Sequence, residues 1–188
     1  ELAKKITEIP NLTPDTTIIT AMSQDSSPDS SQALINSMKI HFRKSGWEKV
    51  TLLNNLGNVY RKSKESKFKK NNIVVVDEFI GSGNTAVVKR DFLERTFRDN
   101  NKAVSVFVRV IFCSAVGALK LQQEAVDFDL IKKINRGITD YETAEEASSS
   151  IELMHEIEKG FSEEAGNHKM SECTLGYGGT ESLFAVEG

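Results

Sequence analysis

The chain has 188 residues, of which 39% are hydrophobic and 27% are charged, and its formal net charge is -3. This length and composition are typical of one globular domain with a single substantial core, so we predict one domain over residues 1–188. The near balance of charge excludes a global attraction to nucleic acid or membrane, and no apolar run approaches the roughly 20 residues that span a bilayer.

The first predicted unit is a strand, a polar loop and a helix. Residues 17–22 are apolar enough for a strand, and residues 23–31 are rich in serine, aspartate and proline. Residues 32–43 carry apolar side chains at helical spacing, with Ser30 or Ser31 as the predicted N-cap. A serine-rich loop at this place is typical of a solvated connection.

A second predicted strand, residues 49–56, leads into a basic run. Residues 61–70 contain six basic side chains and one acid. Charge at this density is typical of a solvated loop, and it is also compatible with contact to a nucleic-acid backbone. The sequence leaves these two interpretations open.

The most informative segment begins with a strand followed by two acids. Residues 73–76 are all β-branched, which is typical of a strand covered on both faces. Asp77 and Glu78 are predicted where this strand leaves the sheet, and carboxylates there can accept hydrogen bonds from a sugar diol or approach a metal. The alternative is an ordinary turn in which both acids are merely solvated.

A glycine-rich turn follows the acids. Gly81 and Gly83 permit a tight turn, and Ser82, Asn84 and Thr85 add polar donors at the start of the next predicted helix, residues 85–98. Helix N-termini favour anions, so this phosphate loop, defined as residues 81–85, predicts a sugar-phosphate site.

The remaining elements complete an α/β pattern. Residues 103–112 are predicted as a strand, and residues 114–123 as a short helix in which Gly117 permits close packing. Alternating strands and helices predict a doubly wound, mainly parallel sheet flanked by helices, with a core over about residues 15–128 and its ligand at the carboxyl ends of the strands.

The C-terminal part, residues 139–188, is predicted to be peripheral. Residues 140–164 hold nine acids and one lysine, and Thr143 with Glu146 predicts a capping box on an acidic helix. A glycine-rich loop, residues 176–180, precedes a predicted strand over residues 182–186. The two cysteines, Cys113 and Cys173, show no metal-type spacing to histidine, which favours a reduced, cytoplasmic protein.

The strand, the acidic pair and the phosphate loop together resemble the phosphoribosyl pyrophosphate (PRPP) motif of the type I phosphoribosyltransferases. The chain departs from that motif in having Ser82-Gly83-Asn84 where Thr-Gly-Gly or Thr-Gly-Ala is common, and in the bulky pair Phe79-Ile80. With the segment Gly-Tyr-Gly-Gly-Thr-Glu-Ser-Leu at residues 176–183, it looks most like a divergent branch of these proteins associated with bacterial conflict and phage defence.

The resemblance implies a role for each matched residue. Asp77 and Glu78 would be catalytic, and the phosphate loop would hold the 5-phosphate of PRPP, with Mg²⁺ carried by PRPP and no direct protein ligand. Two further segments take roles in the same way: a pyrophosphate loop containing Ser26, Ser27, Ser30 and Ser31, and a cationic lid containing Arg61, Lys62 and Lys64.

Three functional hypotheses follow from these residues. The first is a transferase that moves phosphoribosyl from PRPP to an unidentified acceptor, as an effector in anti-phage defence. The second is a binding module that senses PRPP or a nucleotide without turnover. The third is an interaction subunit of a nucleoprotein complex, which would use the basic run and the acidic helix to dock nucleic acid or a protein partner.

Overall fold

The fold is known from a computed structural model that describes residues 1–23, 30–65, 70–161, 164–165, 168–169 and 173–182. Several sequence predictions fall on other residues. Ser26 and Ser27 of the predicted pyrophosphate loop, Lys67 and Lys69 of the basic run, and residues 183–186 of the predicted C-terminal strand lie outside the described residues.

The centre of the protein is a five-stranded sheet in which every pairing of neighbouring strands is parallel. The strand order is β2-β1-β3-β4-β5. The strands are β1 (Thr17–Ala21), β2 (Thr51–Leu53), β3 (Asn72–Ile80), β4 (Ser105–Ser114) and β5 (Asp127–Ile134). The predicted parallel α/β fold is therefore confirmed.

Six helices and a small second sheet accompany this central sheet in the described parts of the chain. The helices are α1 (Leu2–Thr7), α2 (Ser30–Lys44), α3 (Val59–Glu65), α4 (Asn84–Arg98), α5 (Ala115–Gln123) and α6 (Ala144–Glu158). Two short 3₁₀ turns cover Leu56–Asn58 and Tyr177–Gly179, and β6 (Glu164–Ala165) pairs antiparallel with β7 (His168–Lys169). Within these described ranges, no helix has the length and apolar character required to span a bilayer.

Helices cover both faces of the sheet because β3 is apolar on both. Ile73 and Val75 join a core with residues of α3, α4 and α5, whereas Val74 and Val76 join a core with residues of α1 and α2. Successive side chains of a strand point to opposite faces, so a run of four β-branched residues supplies both cores at once. All four residues are almost fully buried.

The order of the strands reverses between β1 and β3. The pairing of β1 with β3 ends at Ala21 and Val76, but β3 continues beside β4 as far as Ile80 and Cys113. In parallel sheets of this type, a crevice opens at the carboxyl ends of the strands where the order reverses. This reversal point is where the acidic pair and the phosphate loop lie.

Three element predictions are corrected by the structure. Strand β2 covers three residues rather than residues 49–56, and residues 61–65 form the end of α3 rather than a loop. Helix α2 begins at Ser30, so Ser30 and Ser31 both lie inside it and neither is its N-cap. A short segment with a few apolar residues fits strand, turn or helix equally well, and packing of the neighbouring elements decides among them.

Strand β5 is the element that the sequence pattern did not reveal. It is an edge strand whose two aspartates form ion pairs with residues elsewhere in the chain. Lys5 Nζ lies 2.7 Å from Asp129 Oδ2, and Arg109 Nη1 lies 3.0 Å from Asp127 Oδ1. Charged side chains at a sheet edge discourage pairing with other chains, and they also hide the strand from a search for apolar runs.

The acidic helix α6 is peripheral, as predicted. Its capping box is present, since Thr143 Oγ1 accepts a hydrogen bond from Glu146 N at 3.4 Å and Glu146 Oε2 accepts one from Thr143 N at 3.1 Å. Among its apolar residues Leu153 is 61% exposed and Ile157 is 46% exposed, so this helix contributes little to the core.

The two cysteines lie in different environments, which leads to a prediction. Cys113 is fully buried in β4, and burial raises the pKa of its thiol to about 12, whereas Cys173 is partly exposed. Because the thiolate is the reactive form, we expect a thiol reagent at pH 8 to modify one cysteine in the native protein and both after denaturation. Rapid modification of both thiols in the native protein would contradict this expectation.

Candidate functional site

A cavity of about 290 Å³ lies at the reversal point of the sheet. Met22, which follows β1, and Asp77 at the end of β3 form part of its wall. The other wall residues come from β3, the phosphate loop, α4 and the C-terminal end of the described chain: Phe79, Ile80, Gly81, Ser82, Gly83, Thr85, Ala86, Thr180 and Ser182. The cavity therefore gathers residues as far apart in the sequence as Met22 and Ser182.

The structure separates the two predicted acids. Both lie within β3 rather than beyond it, so they point to opposite faces of the strand. Asp77 lines the cavity, and its Oδ1 accepts a hydrogen bond of 2.9 Å from Glu78 N. Glu78 is half-buried and is not part of the cavity wall. Of the two predicted catalytic residues, the structure therefore brings only Asp77 to the cavity.

The phosphate loop turns because of Gly83. This residue is the N-cap of α4 and has a φ of 82°, in the left-handed region that glycine adopts at low cost. Ser82, Gly83 and Thr85 line the cavity, whereas Asn84 is exposed and lies outside its wall. The first N-H groups of a helix have no partner within the helix, so they favour an anion at this end of the cavity.

Helix α5 supports the phosphate loop from behind. Ser114 Oγ donates a hydrogen bond of 2.6 Å to Gly81 O and accepts one of 2.8 Å from Gly117 N, which caps α5. A Cβ atom on Gly117 would lie 2.2 Å from Gly81 O, a distance that real Cβ atoms do not show. The predicted close packing at Gly117 is confirmed, and its partner is the phosphate loop.

The C-terminal segment, defined as residues 173–182, lies against the other side of the loop. A Cβ atom on Gly178 would lie 3.1 Å from Ser82 Cβ, so the two backbones approach closely. Thr180 is only 3% exposed, and a Cβ atom on Gly81 would lie 3.9 Å from its methyl group. Sequence reasoning gave Thr180 and Ser182 no role. The one available signal was the cluster of glycines before two hydroxyl residues.

Glu181 fastens the C-terminal segment to residues 137–139. Its carboxylate accepts hydrogen bonds from Ile138 N at 3.0 Å, Thr139 N at 2.8 Å and Thr139 Oγ1 at 2.5 Å. Its carbonyl accepts a bond of 2.8 Å from Gly137 N. Burial opposes ionisation of this carboxyl, but these hydrogen bonds and the charge of Arg136 outweigh it and hold the pKa below the ordinary 4.5.

This lowered pKa predicts how stability depends on pH. The folded protein favours the charged form of Glu181, so this contribution is present above pH 4.5 and is lost as pH falls through the lower pKa of the folded state. We expect Glu181→Gln to lower the melting temperature at pH 7, and the difference from wild type to shrink below about pH 4.5. Thermal melts of both proteins between pH 7 and pH 3 measure this, and a difference that is constant with pH would contradict it.

The predicted lid residues lie on the exposed side of α3. Arg61 Nη2 donates to Asn58 Oδ1 at 2.8 Å, Lys62 Nζ lies 2.5 Å from Glu65 Oε2, and Lys64 Nζ lies 4.3 Å from the centre of the Tyr60 ring. None of the three belongs to the cavity wall as described. Their role as a lid remains a prediction.

The remaining predicted site residues, Lys70, Ser30 and Ser31, are not among the described residues of the cavity wall. Lys70, at the end of the basic run, is buried and donates to Pro14 O at 3.1 Å and Thr17 O at 3.3 Å. This lysine therefore supports the start of β1. Ser31 of the predicted pyrophosphate loop is buried at the start of α2, and Ser30 is the first residue of that helix.

The described residues contain no group of three or more His, Cys, Asp or Glu side chains that could hold a metal ion. Asp77 is the acidic residue on the described wall of the cavity. A cation at this site would therefore take most of its ligands from a bound phosphate compound or from water, as Mg²⁺ commonly does.

Comparison with known proteins agrees with the fold. No curated protein shows a significant match to the chain. The model of the family named PRTase-CE matches residues 4–188, which includes every strand of the central sheet, the phosphate loop and the C-terminal segment. The chain therefore belongs to the PRTase-CE family, a phosphoribosyltransferase-type family with the parallel α/β fold described above.

Proposed function

We propose that the protein binds PRPP with Mg²⁺ and transfers its phosphoribosyl group to an acceptor. One observation carries the proposal: Asp77 and the phosphate loop line a single cavity of about 290 Å³ at the reversal point of a parallel sheet. This is where such sheets bind ligands, and the acid and the anion-binding turn are the two groups that a sugar phosphate requires.

The residues of the site support specific steps of this reaction. The acceptor forms a bond to the anomeric carbon and loses a proton, while the bond to pyrophosphate breaks and pyrophosphate leaves with the electron pair. Asp77 would bind the ribose hydroxyls and stabilise positive charge on the ring, and the N-H groups and hydroxyls of the phosphate loop would hold the 5-phosphate. Mg²⁺ bound with PRPP supplies positive charge that offsets the leaving group.

The position of Glu78 favours a second candidate, a PRPP sensor without turnover. Its carboxylate lies on the face of β3 opposite Asp77 and does not line the cavity. A site with one correctly placed carboxylate can still bind a sugar phosphate, but it has one group fewer to stabilise the charged ring. Binding and turnover are therefore tested separately.

Binding is tested by thermal melting with and without ligand. PRPP with Mg²⁺ at about 100 times its Kd is expected to stabilise the protein by about 2.7 kcal/mol through ligand linkage. This corresponds to a rise of roughly 5–10 °C in melting temperature for a domain of this size. Ribose without phosphates is the control and should give no rise. The absence of any rise at millimolar PRPP would overturn both candidates.

Turnover is tested by release of pyrophosphate in the presence of candidate acceptors. Nucleobases, nucleotides and nucleic acids cover the acceptor classes that PRPP chemistry serves. Release that depends on one class would support the transferase, whereas binding of PRPP without release across all classes would support the sensor.

We also propose a role in anti-phage defence, on the resemblance at residues 176–183. If the protein protects a bacterial strain from phage, loss of that protection in a strain carrying Asp77→Asn would support this role.

A further inference from the structure

The C-terminal segment contributes Thr180 and Ser182 to the cavity wall, beside the phosphate loop. Gly178 lies against Ser82, and Thr180 packs its methyl group toward Gly81. These contacts place residues 178–182 beside the turn that is proposed to hold the 5-phosphate. Residues far from the phosphate loop in sequence therefore line the same cavity.

Ser182 is a polar residue of this wall whose hydroxyl is buried and unpaired in the described protein. Its Oγ is shielded from solvent and has no hydrogen-bond partner within the part of the protein that the structure describes. Ser182 also lies on the wall shared by the main cavity and a second cavity of about 250 Å³. Buried hydroxyl groups are nearly always paired, so an unpaired one beside a cavity indicates that its partner is a ligand.

Glu181, the residue before Ser182, is held by hydrogen bonds of both its side chain and its main chain. Glu181 has a φ of 46°, an uncommon conformation that the surrounding hydrogen bonds maintain. Its carboxylate binds residues 138 and 139, and its N-H donates a bond of 2.8 Å to Leu175 O. The backbone next to Ser182 is therefore held before any ligand arrives, and preorganisation of this kind lowers the entropic cost of binding.

We propose that Ser182 is an additional ligand-binding residue of this site, which donates a hydrogen bond from its hydroxyl to a phosphate oxygen of the bound sugar phosphate. The inference rests on the proposed function, because it concerns the same ligand. A hydroxyl suits this position because it binds an anion without adding charge to a cavity that already contains Asp77.

The test compares Ser182→Ala with wild type, using ribose 5-phosphate as the probe and ribose as the phosphate-free comparison. Because Ser182 Oγ is buried without a partner in the described protein, its removal should not lower the melting temperature of the unliganded protein. Affinity for ribose 5-phosphate, measured by calorimetry, should fall about tenfold or more, as expected for losing a hydrogen bond to a charged group.

A matched control is Ser149→Ala on α6, which removes an exposed hydroxyl that bonds to Glu145 O. This variant should bind ribose 5-phosphate with wild-type affinity. If Ser182→Ala also binds with wild-type affinity, the role of Ser182 is overturned while the proposed function stands. If wild type binds neither ribose 5-phosphate nor PRPP, both proposals are overturned.

Discussion

Replacing Asp77 with asparagine is expected to abolish the rise in melting temperature that PRPP and Mg²⁺ produce. Asp77 is the carboxylate on the described cavity wall, so the change removes the negative charge that would face the ribose hydroxyls and the ring. Each hydrogen bond to a charged group contributes about 1.5–3 kcal/mol, and two such bonds to a diol correspond to a loss of affinity of at least about a hundredfold.

Glu78→Gln is the matched comparison for this variant. Glu78 is the neighbouring residue, but its side chain lies on the other face of β3 and outside the cavity wall. We expect this variant to retain PRPP binding with a change of less than about threefold, which is below 1 kcal/mol. If both variants lost binding equally, the assignment of the two acids to opposite faces of the site would be wrong.

Gly117→Ala is expected to lower the stability of the protein substantially. The added Cβ would lie 2.2 Å from Gly81 O, so α5 and the phosphate loop must move apart. Overpacking of this kind costs about 1–3 kcal/mol, which lowers the melting temperature by roughly 3–10 °C in a domain of this size. The shift should also weaken PRPP binding, because Ser114 no longer holds Gly81 at hydrogen-bond distance.

Gly81→Ala is the control for the stability part of this prediction. Its Cβ would meet Phe79 at 3.5 Å and Thr180 at 3.9 Å, which are ordinary contact distances. The melting temperature of unliganded Gly81→Ala should therefore stay close to that of wild type. Equal destabilisation of the two variants would show that the contact between Gly117 and Gly81 is not the cause.

Much of the fold could be predicted because its signals are local. The four β-branched residues 73–76 indicate a strand covered on both faces, and the structure buries all four between two helical layers. Strand β5 could not be predicted in this way. Four of its eight residues are charged, and its two aspartates pair with the distant residues Lys5 and Arg109, so no local pattern of apolar residues marks it.

The candidate site also has features that could be predicted from the sequence and features that could not. Gly83 could be identified because a left-handed turn before a helix has a local signature, and the structure gives it a φ of 82°. The different orientations of Asp77 and Glu78 depend on where β3 stops pairing. Because β3 continues beside β4 to Ile80, both acids stay in the strand and alternate between its faces.

By itself, the sequence determined the parallel α/β class, the position of the phosphate loop and the presence of a residue without a side chain at position 117, because each can be identified from residue types and their order along the chain. Tertiary structure alone decided which acid faces the cavity and that Thr180 and Ser182 join its wall. These features depend on strand pairing and on hydrogen bonds between distant segments, such as those of Glu181 to residues 138 and 139. Contacts of that kind arise from packing of the whole chain and leave no periodic pattern in its sequence.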